Sequence, residues 1–347
     1  MPPSPAALTP EDPARPRPRQ APPERRPLPR LLHVTNGDSA ADSLRAAGVE
    51  GELTLAADPL YEGPAPPALS PGRWRRMRAR YLAEQGYDGY DECLARLTAW
   101  DHGIEGYRSF DEVVLWFEHD LFDQLQLIRL LARFATDLEL DAALTRLSLV
   151  ATAFYLGAAE PQSLSALLDL RQPVSPLQLR LGCDAWAAFC SPDPRAIERL
   201  LASDTSALPF LAGALRRHLE EFPAAGSGLP RTERQALAAL AGGPLPLPAL
   251  FGASQVCEER LFMGDLSFCQ RLRELAAGPH PLLRLDPPTA TPRAQRASLT
   301  AAGFAVLDSR EDWLDHHTID RWLGGVHLTG RHAAWRWNPA TGKLVGS

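Results

Sequence analysis

Apolar and polar residues alternate in blocks along the first half of the chain, and the blocks predict strand, polar turn and helix in repetition. A short apolar run from about Arg30 to Val34 meets the turn TNGDS and then ADSLRAAG, an amphipathic helix closed by Gly48. A second strand, GELTLAAD at 51–58, enters the proline-rich loop PLYEGPAPP. After it SPGRWRRMRARYLAEQG predicts a helix with Ser70 as N-cap and Pro71 at the first helical position. Residues 90–108 predict a helix broken between Asp101 and Gly106. DEVVLWFE, at 111–118, has the continuous apolar character of a strand buried on both faces. It is followed by the amphipathic helix HDLFDQLQLIRLLARFA and a fourth strand, LSLVAT, at 147–152. This alternation predicts a mainly parallel, Rossmann-like α/β domain over 30–155, with right-handed crossovers.

From about residue 156 to 222 the alternation gives way to helices opened by Ser, Asp and Pro. PAAGSGLP, at 223–230, reads as a linker. The remainder, 231–347, predicts helix, helix, helix and a β wing, the parts of a winged-helix-like unit. WRWNPATGKLVGS reads as a terminal hairpin turning at Asn, Pro and Gly. At the other end, residues 1–29 are rich in proline and arginine and read as a disordered tail without the apolar core of a secretory signal.

Composition narrows the classes. A chain of 347 residues can bury a large core, and no stretch of it approaches the roughly 20 apolar residues of a membrane span. Its formal charge is −6 although the tail is basic, so the remainder is acidic, which disfavours non-specific nucleic-acid binding as the main activity. Five cysteines without a CxxC pair suit reduced thiols and a cytoplasmic location. Cys183 and Cys190, a heptad apart, read as buried packing.

The candidate chemistry lies where strands end, because ligands of open α/β sheets bind outside the carboxyl ends of the strands. Three clusters occur there. The first comprises His33, Thr35, Asn36, Gly37, Asp38 and Ser39, in which Gly37 would permit a tight turn and Asp38 or Ser39 would cap the next helix. The second is Asp58 with Glu62. The third is Glu118, His119 and Asp120, followed by Asp123 and Gln124; carboxylates around an imidazole suit acid/base work or divalent-metal ligation. The two aspartates also suit a helix N-terminus with no further role. Neither GxxxxGK[ST] nor GxGxxG is present, so the chain has no P-loop or dinucleotide fingerprint. Arg73, Arg76 and Arg80 share a helix face that is expected near the acidic site, either for a phosphate or nucleic-acid backbone or as solvated surface. Asp312, Asp315, His316, His317 and Asp320 crowd together and read as polar surface rather than a metal site. The winged-helix-like segment 231–276 balances five arginines with five acids, little positive charge for a nucleic-acid reader.

HVTNGDSAADSL, DPLYEGP and VVLWFEHDLFDQLQLIRLL resemble the motifs of a bacterial family of unknown function catalogued as domain of unknown function 1835, over about 31–152. LRLGCDAW, RTERQALAAL, FMGDLSF, LTAAGFAVL and DRWLGGVHL are similar to the region usual in its longer members. The resemblance implies an architecture and no activity or cofactor. It implies that His33, Asn36, Gly37, Asp38, Glu118, His119, Asp120 and Gln124 are the motif positions.

Two functions are expected from this reading. One is a phosphate- or nucleotide-handling protein of hydrolase type, with Asp38, Glu118 and His119 as catalytic candidates, the other strand-end residues binding a phosphorylated ligand, and a divalent metal as candidate cofactor. The other is a non-enzymatic ligand-sensing regulator or interaction scaffold whose carboxyl-terminal unit meets nucleic acid or protein.

Overall fold

The computed structural model describes residues 29–137, 146–331 and 333–346. The expected tail at 1–29 lies outside them except for its last residue. The chain is a mixed α/β protein with a mostly parallel central sheet and, among the described residues, 12 α-helices.

β1 (Leu31–Thr35), α1 (Asp38–Ala46) and β2 (Glu52–Leu55) open the chain. Next come β3 (Gly63–Pro64), α2 (Pro71–Glu84), α3 (Tyr90–Glu105), β4 (Glu112–Phe117), α4 (Leu121–Asp137) and β5 (Leu147–Ala151). The expected break at Asp101 is absent: α3 runs through to Glu105, because the buried Asp101 carboxylate is held by Arg75 at 2.9 Å, with Arg129 and Arg133 beside it. An acid surrounded by guanidinium groups from α2 and α4 is compatible with a helix interior.

The sheet order is β2-β1-β4-β5, all parallel, with the two-residue β6 (Gln172–Pro173) antiparallel at the edge. β1 and β4 are neighbours, with Val34 opposite Leu115. β4 is central, and Val113 through Phe117 are fully buried, as its unbroken apolar run requires. Each such side chain contributes about 1.5–3 kcal/mol of burial free energy. From β1 the chain steps to β2 on one side and later returns to β4 on the other, so the direction of winding reverses between β1 and β4. That is the switch point at which open α/β sheets leave a crevice.

Helices α5 (Pro161–Asp169), α6 (Pro176–Phe189), α7 (Arg195–Leu201) and α8 (Leu211–Leu219) follow. α6 begins with a capping box, Ser175 accepting from the Gln178 amide at 3.2 Å while Gln178 accepts from the Ser175 amide at 2.8 Å. It lies along α4.

The last third is α9 (Arg231–Leu240), β7 (Leu245–Pro246), α10 (Leu247–Gln255), α11 (Asp265–Ala276), β8 (Leu283–Asp286), β9 (Arg296–Leu299) and α12 (Ala301–Leu307). β7, β9 and β8 make a small antiparallel sheet in that order. Two hairpins close the chain, β10 (Ile319–Gly324) with β11 (Val326–Gly330) and β12 (Trp335–Asn338) with β13 (Lys343–Gly346). β10 also pairs with β3, inserting a loop of the first region into a carboxyl-terminal sheet. One continuous buried cluster runs from Leu32 through Leu179 and Leu237 to Leu344. Among the described residues no helix is long and apolar enough to cross a membrane, and all five cysteines are free, Cys190 being buried and Cys183 partly so.

Candidate functional site

Asn36 follows β1 and Glu118 follows β4, so the parallel pairing of these strands sets the two side by side at the switch point. Asp120 precedes α4 and Asp123 lies in its first turn. Each aspartate spends one oxygen on local structure: Asp120 Oδ1 accepts from the Asp123 amide at 3.2 Å, and Asp123 Oδ2 accepts a short bond from the Glu118 amide. These bonds to the start of α4 hold both carboxylates in place. Glu118 Oε1 accepts from the Leu156 amide at 2.7 Å. Ligand oxygens of Glu118, Asp120 and Asp123 lie within 4.8 Å of one another, and all three residues are buried.

Burial raises the pKa of all three, and mutual repulsion adds to it for both aspartates: Asp120 is pushed up to about 7, Asp123 well above the usual range, and Glu118 is also raised. The largest influences on them include no arginine or lysine, and among the described residues none of the three forms an ion pair. The nearby Asn36 side chain opposes this rise at Glu118 and Asp123, and its Oδ1 accepts from the buried Thr35 hydroxyl at 3.5 Å. Asp123 Oδ1 is buried without a hydrogen-bond partner among the described residues. Such an arrangement lacks positive charge, which either protons or a cation must supply.

The cluster opens to a cleft of about 360 Å³ lined by Asn36, the three acids, Phe122, Tyr155 and Leu261 to Gly264. The last four belong to the loop between α10 and α11, so the carboxyl-terminal unit forms one wall. Tyr155 ties that wall down, its hydroxyl accepting from the Leu261 amide at 2.5 Å.

The other expected site residues are placed elsewhere. His33 is fully buried between Trp116, whose indole donates to Nδ1 at 3.0 Å, and the Glu50 carbonyl, 3.1 Å from Nε2. Both ring nitrogens are used, and burial lowers its pKa, so it is a neutral structural imidazole. Asp38 and Ser39 are exposed on α1, and no side chain caps that helix. Gly37 has φ 170, extended backbone open to any residue, with open space around its Cα. The turn into α1 therefore does not need a glycine, neither Asp38 nor Ser39 caps the helix, and Asp38 is not part of the carboxylate cluster.

His119 sits beside Tyr155 and Phe210, with ring centroids 5.1 and 6.0 Å away, rather than on the cleft wall. Burial and the Arg260 guanidinium lower its pKa. Gln124 donates to the Glu118 carbonyl at 2.7 Å and supports the loop.

Asp58 is clamped by the buried Arg78, with contacts of 2.7 and 3.0 Å. The same guanidinium binds the carbonyls of Pro59 and Glu62 at 3.1 and 2.8 Å, fixing the loop before α2. Asp58 is therefore consumed by structure. Glu62 accepts from Tyr87 at 2.6 Å and from Ser267 at 3.1 Å, joining the first region to α11. Arg76 and Arg80 face a different cleft, of about 590 Å³, shared with the stacked pair Trp322 and His327, and Arg73 is exposed on the same helix. Sequence reasoning did not place Tyr155 or Leu261 to Gly264 at the site, because their approach to the strand ends is set by the fold.

No family model and no curated protein matches the chain. Among solved structures it is similar to the DNA-binding, cleavage and re-ligation domain of Plasmodium falciparum topoisomerase II, at 12% identity and a TM-score of 0.41. The alignment covers 92% of this chain and 54% of that one, so the chain spans about half the length of that structure.

Proposed function

We propose that the chain is a phosphate- or nucleotide-handling protein of hydrolase type, whose site is Glu118, Asp120 and Asp123 with Asn36 and which works with a divalent cation. The observation that carries this reading is three buried carboxylates at the switch point, with converging oxygens and, among the described residues, no ion-pair partner. An all-oxygen donor set suits magnesium, manganese or calcium. Such a cation, when bound, would neutralise phosphate charge and lower the pKa of a coordinated water. Asn36 would orient Glu118 and Asp123, and Phe122, Phe262 and Tyr155 would shield the ligand from bulk water. In this reading Asp120 and Asp123 take the place that the sequence suggested for Asp38 and His119. Membership of the unknown-function family belongs to the same proposal, because Asn36, Glu118, Asp120 and Gln124 are among its motif positions.

The regulator reading draws support from the order of α9, β7, α10, α11, β8 and β9, which is that of a winged helix. In that fold α11 would be the reading helix. Its Ser267 instead binds Glu62 and Tyr61, Gln270 reaches the Gln85 carbonyl, and Arg271 is buried near Glu233. A helix engaged inside the molecule favours a packing role, and hence the enzymatic reading.

The test is magnesium and manganese titration by calorimetry of the wild type and E118Q, followed by phosphate release from nucleoside phosphates and a phosphodiester probe. Binding lost in E118Q, with metal-dependent turnover, is expected. No cation binding to the wild type would sink the proposal.

A further inference from the structure

Far along the chain from the carboxylate cluster, two loops bring together three different donors. His280 lies between α11 and β8; Glu311 and His316 lie between α12 and β10. Their ligand atoms are within 4.8 Å of one another. His280 Nε2 is 3.2 Å from Glu311 Oε2, and the two imidazole rings pack with centroids 4.4 Å apart. Among the described residues, the His316 ring has no hydrogen-bond or ion-pair partner. A half-exposed His–Glu pair contributes only about 0–1 kcal/mol, so surface ion pairing is weak grounds for gathering a second imidazole there.

The backbone beneath these side chains is pinned. Thr300 Oγ1 donates to the Pro281 carbonyl at 2.7 Å, and the Thr300 amide donates to Leu282 at 3.0 Å, holding the His280 loop. The Arg310 amide donates to Ala305 at 2.8 Å just before Glu311. Asp312 Oδ1 accepts from the Leu314 amide at 2.9 Å, and the His316 amide donates to the Trp313 carbonyl at 3.1 Å, fixing the tight turn that presents His316. Asp312 also pairs with Arg336 at 2.9 Å, which removes it from the donor set. His317 is stacked on Trp313, centroids 4.2 Å apart.

We infer that His280, Glu311 and His316 form a second cation site, specific for a zinc-class transition metal, that clips these two loops together. Two imidazoles and one carboxylate make a borderline donor set, which selects zinc over magnesium or calcium. Bonds of about 2.0–2.2 Å in a tetrahedron place donor atoms roughly 3.3–3.6 Å apart, inside the 4.8 Å within which these donor atoms already lie. Three protein donors leave a fourth position for water. The inference is independent of the phosphoryl-handling reading, since it uses other residues and a different metal.

The test uses tag-free full-length protein in excess magnesium, titrated with zinc chloride and separately with cobalt(II), alongside H280A, H316A and E311Q. One zinc per chain is expected, with a tetrahedral cobalt spectrum free of thiolate charge-transfer absorption. Loss of an outer-shell partner of a metal site weakens binding about 10–100-fold, so loss of a donor here should weaken zinc at least tenfold. Circular dichroism verifies that the three variants fold. Absence of zinc binding, equal affinity in wild type and all three variants, or a thiolate cobalt spectrum would each overturn the inference.

Discussion

Asp123 accepts a hydrogen bond from the backbone amide of Glu118 with one carboxylate oxygen, while its other oxygen is buried without a partner among the described residues. One acid thus closes the turn after β4 and lends an uncommitted oxygen to the cluster. Helix capping and ligand chemistry share the same side chain.

Removing charge at this cluster should raise stability and abolish cation binding together. D120N keeps the shape of the capping side chain while relieving a carboxyl whose ionised form is disfavoured by burial and repulsion. At pH 8 without divalent cation, its stability should exceed wild type by on the order of 1–3 kcal/mol. Urea denaturation measures this, and a destabilised D120N would count against the uncompensated-charge account.

The pH dependence has a defined sign. Carboxyl pKa values raised in the fold mean that the native state holds protons which the unfolded chain releases. This contribution to stability is complete below the unfolded value near 4 and is lost as pH rises through the folded value, about 7 for Asp120. Midpoints measured without divalent cation should therefore fall between pH 5 and pH 8, with D120N showing less of that fall. Added magnesium should stabilise more at pH 8 than at pH 5.

Asp58 and Arg78 should behave as a buried structural pair. R78A leaves Asp58 charged and enclosed, and breaking such a pair costs about 3–5 kcal/mol. Cation affinity of the folded fraction should be unchanged, which titration at low temperature checks; a selective loss of cation binding would return Asp58 to the site.

The two histidines should separate from the acids. H33A orphans the Trp116 indole and the Glu50 carbonyl and should cost about 1–3 kcal/mol for each group left without its bond. H119A should leave magnesium affinity within about twofold of wild type, a change smaller than 0.5 kcal/mol. A large fall in H119A would place that imidazole in the cation site.

The strands around 31–35, 112–117 and 147–151 were legible because burial imposes short-range periodicity, and the acids after β4 were legible because strand ends are where such sheets bind ligands. β1 and β4 lie side by side in the sheet, which brings their strand ends together. What the sequence by itself determined was therefore the alternation of elements, the parallel sheet and the place of the acids Glu118, Asp120 and Asp123. Only the tertiary structure decided which polar side chains converge. His33 points to Trp116, Asp58 is taken by Arg78, and Asp38 stays in solvent, while Leu261 to Gly264 arrive from more than a hundred residues away to complete the cleft. The meeting of His280 with His316 has the same origin. Periodicity reports whether a residue faces core or solvent, whereas the partner it meets depends on contacts between segments distant in sequence.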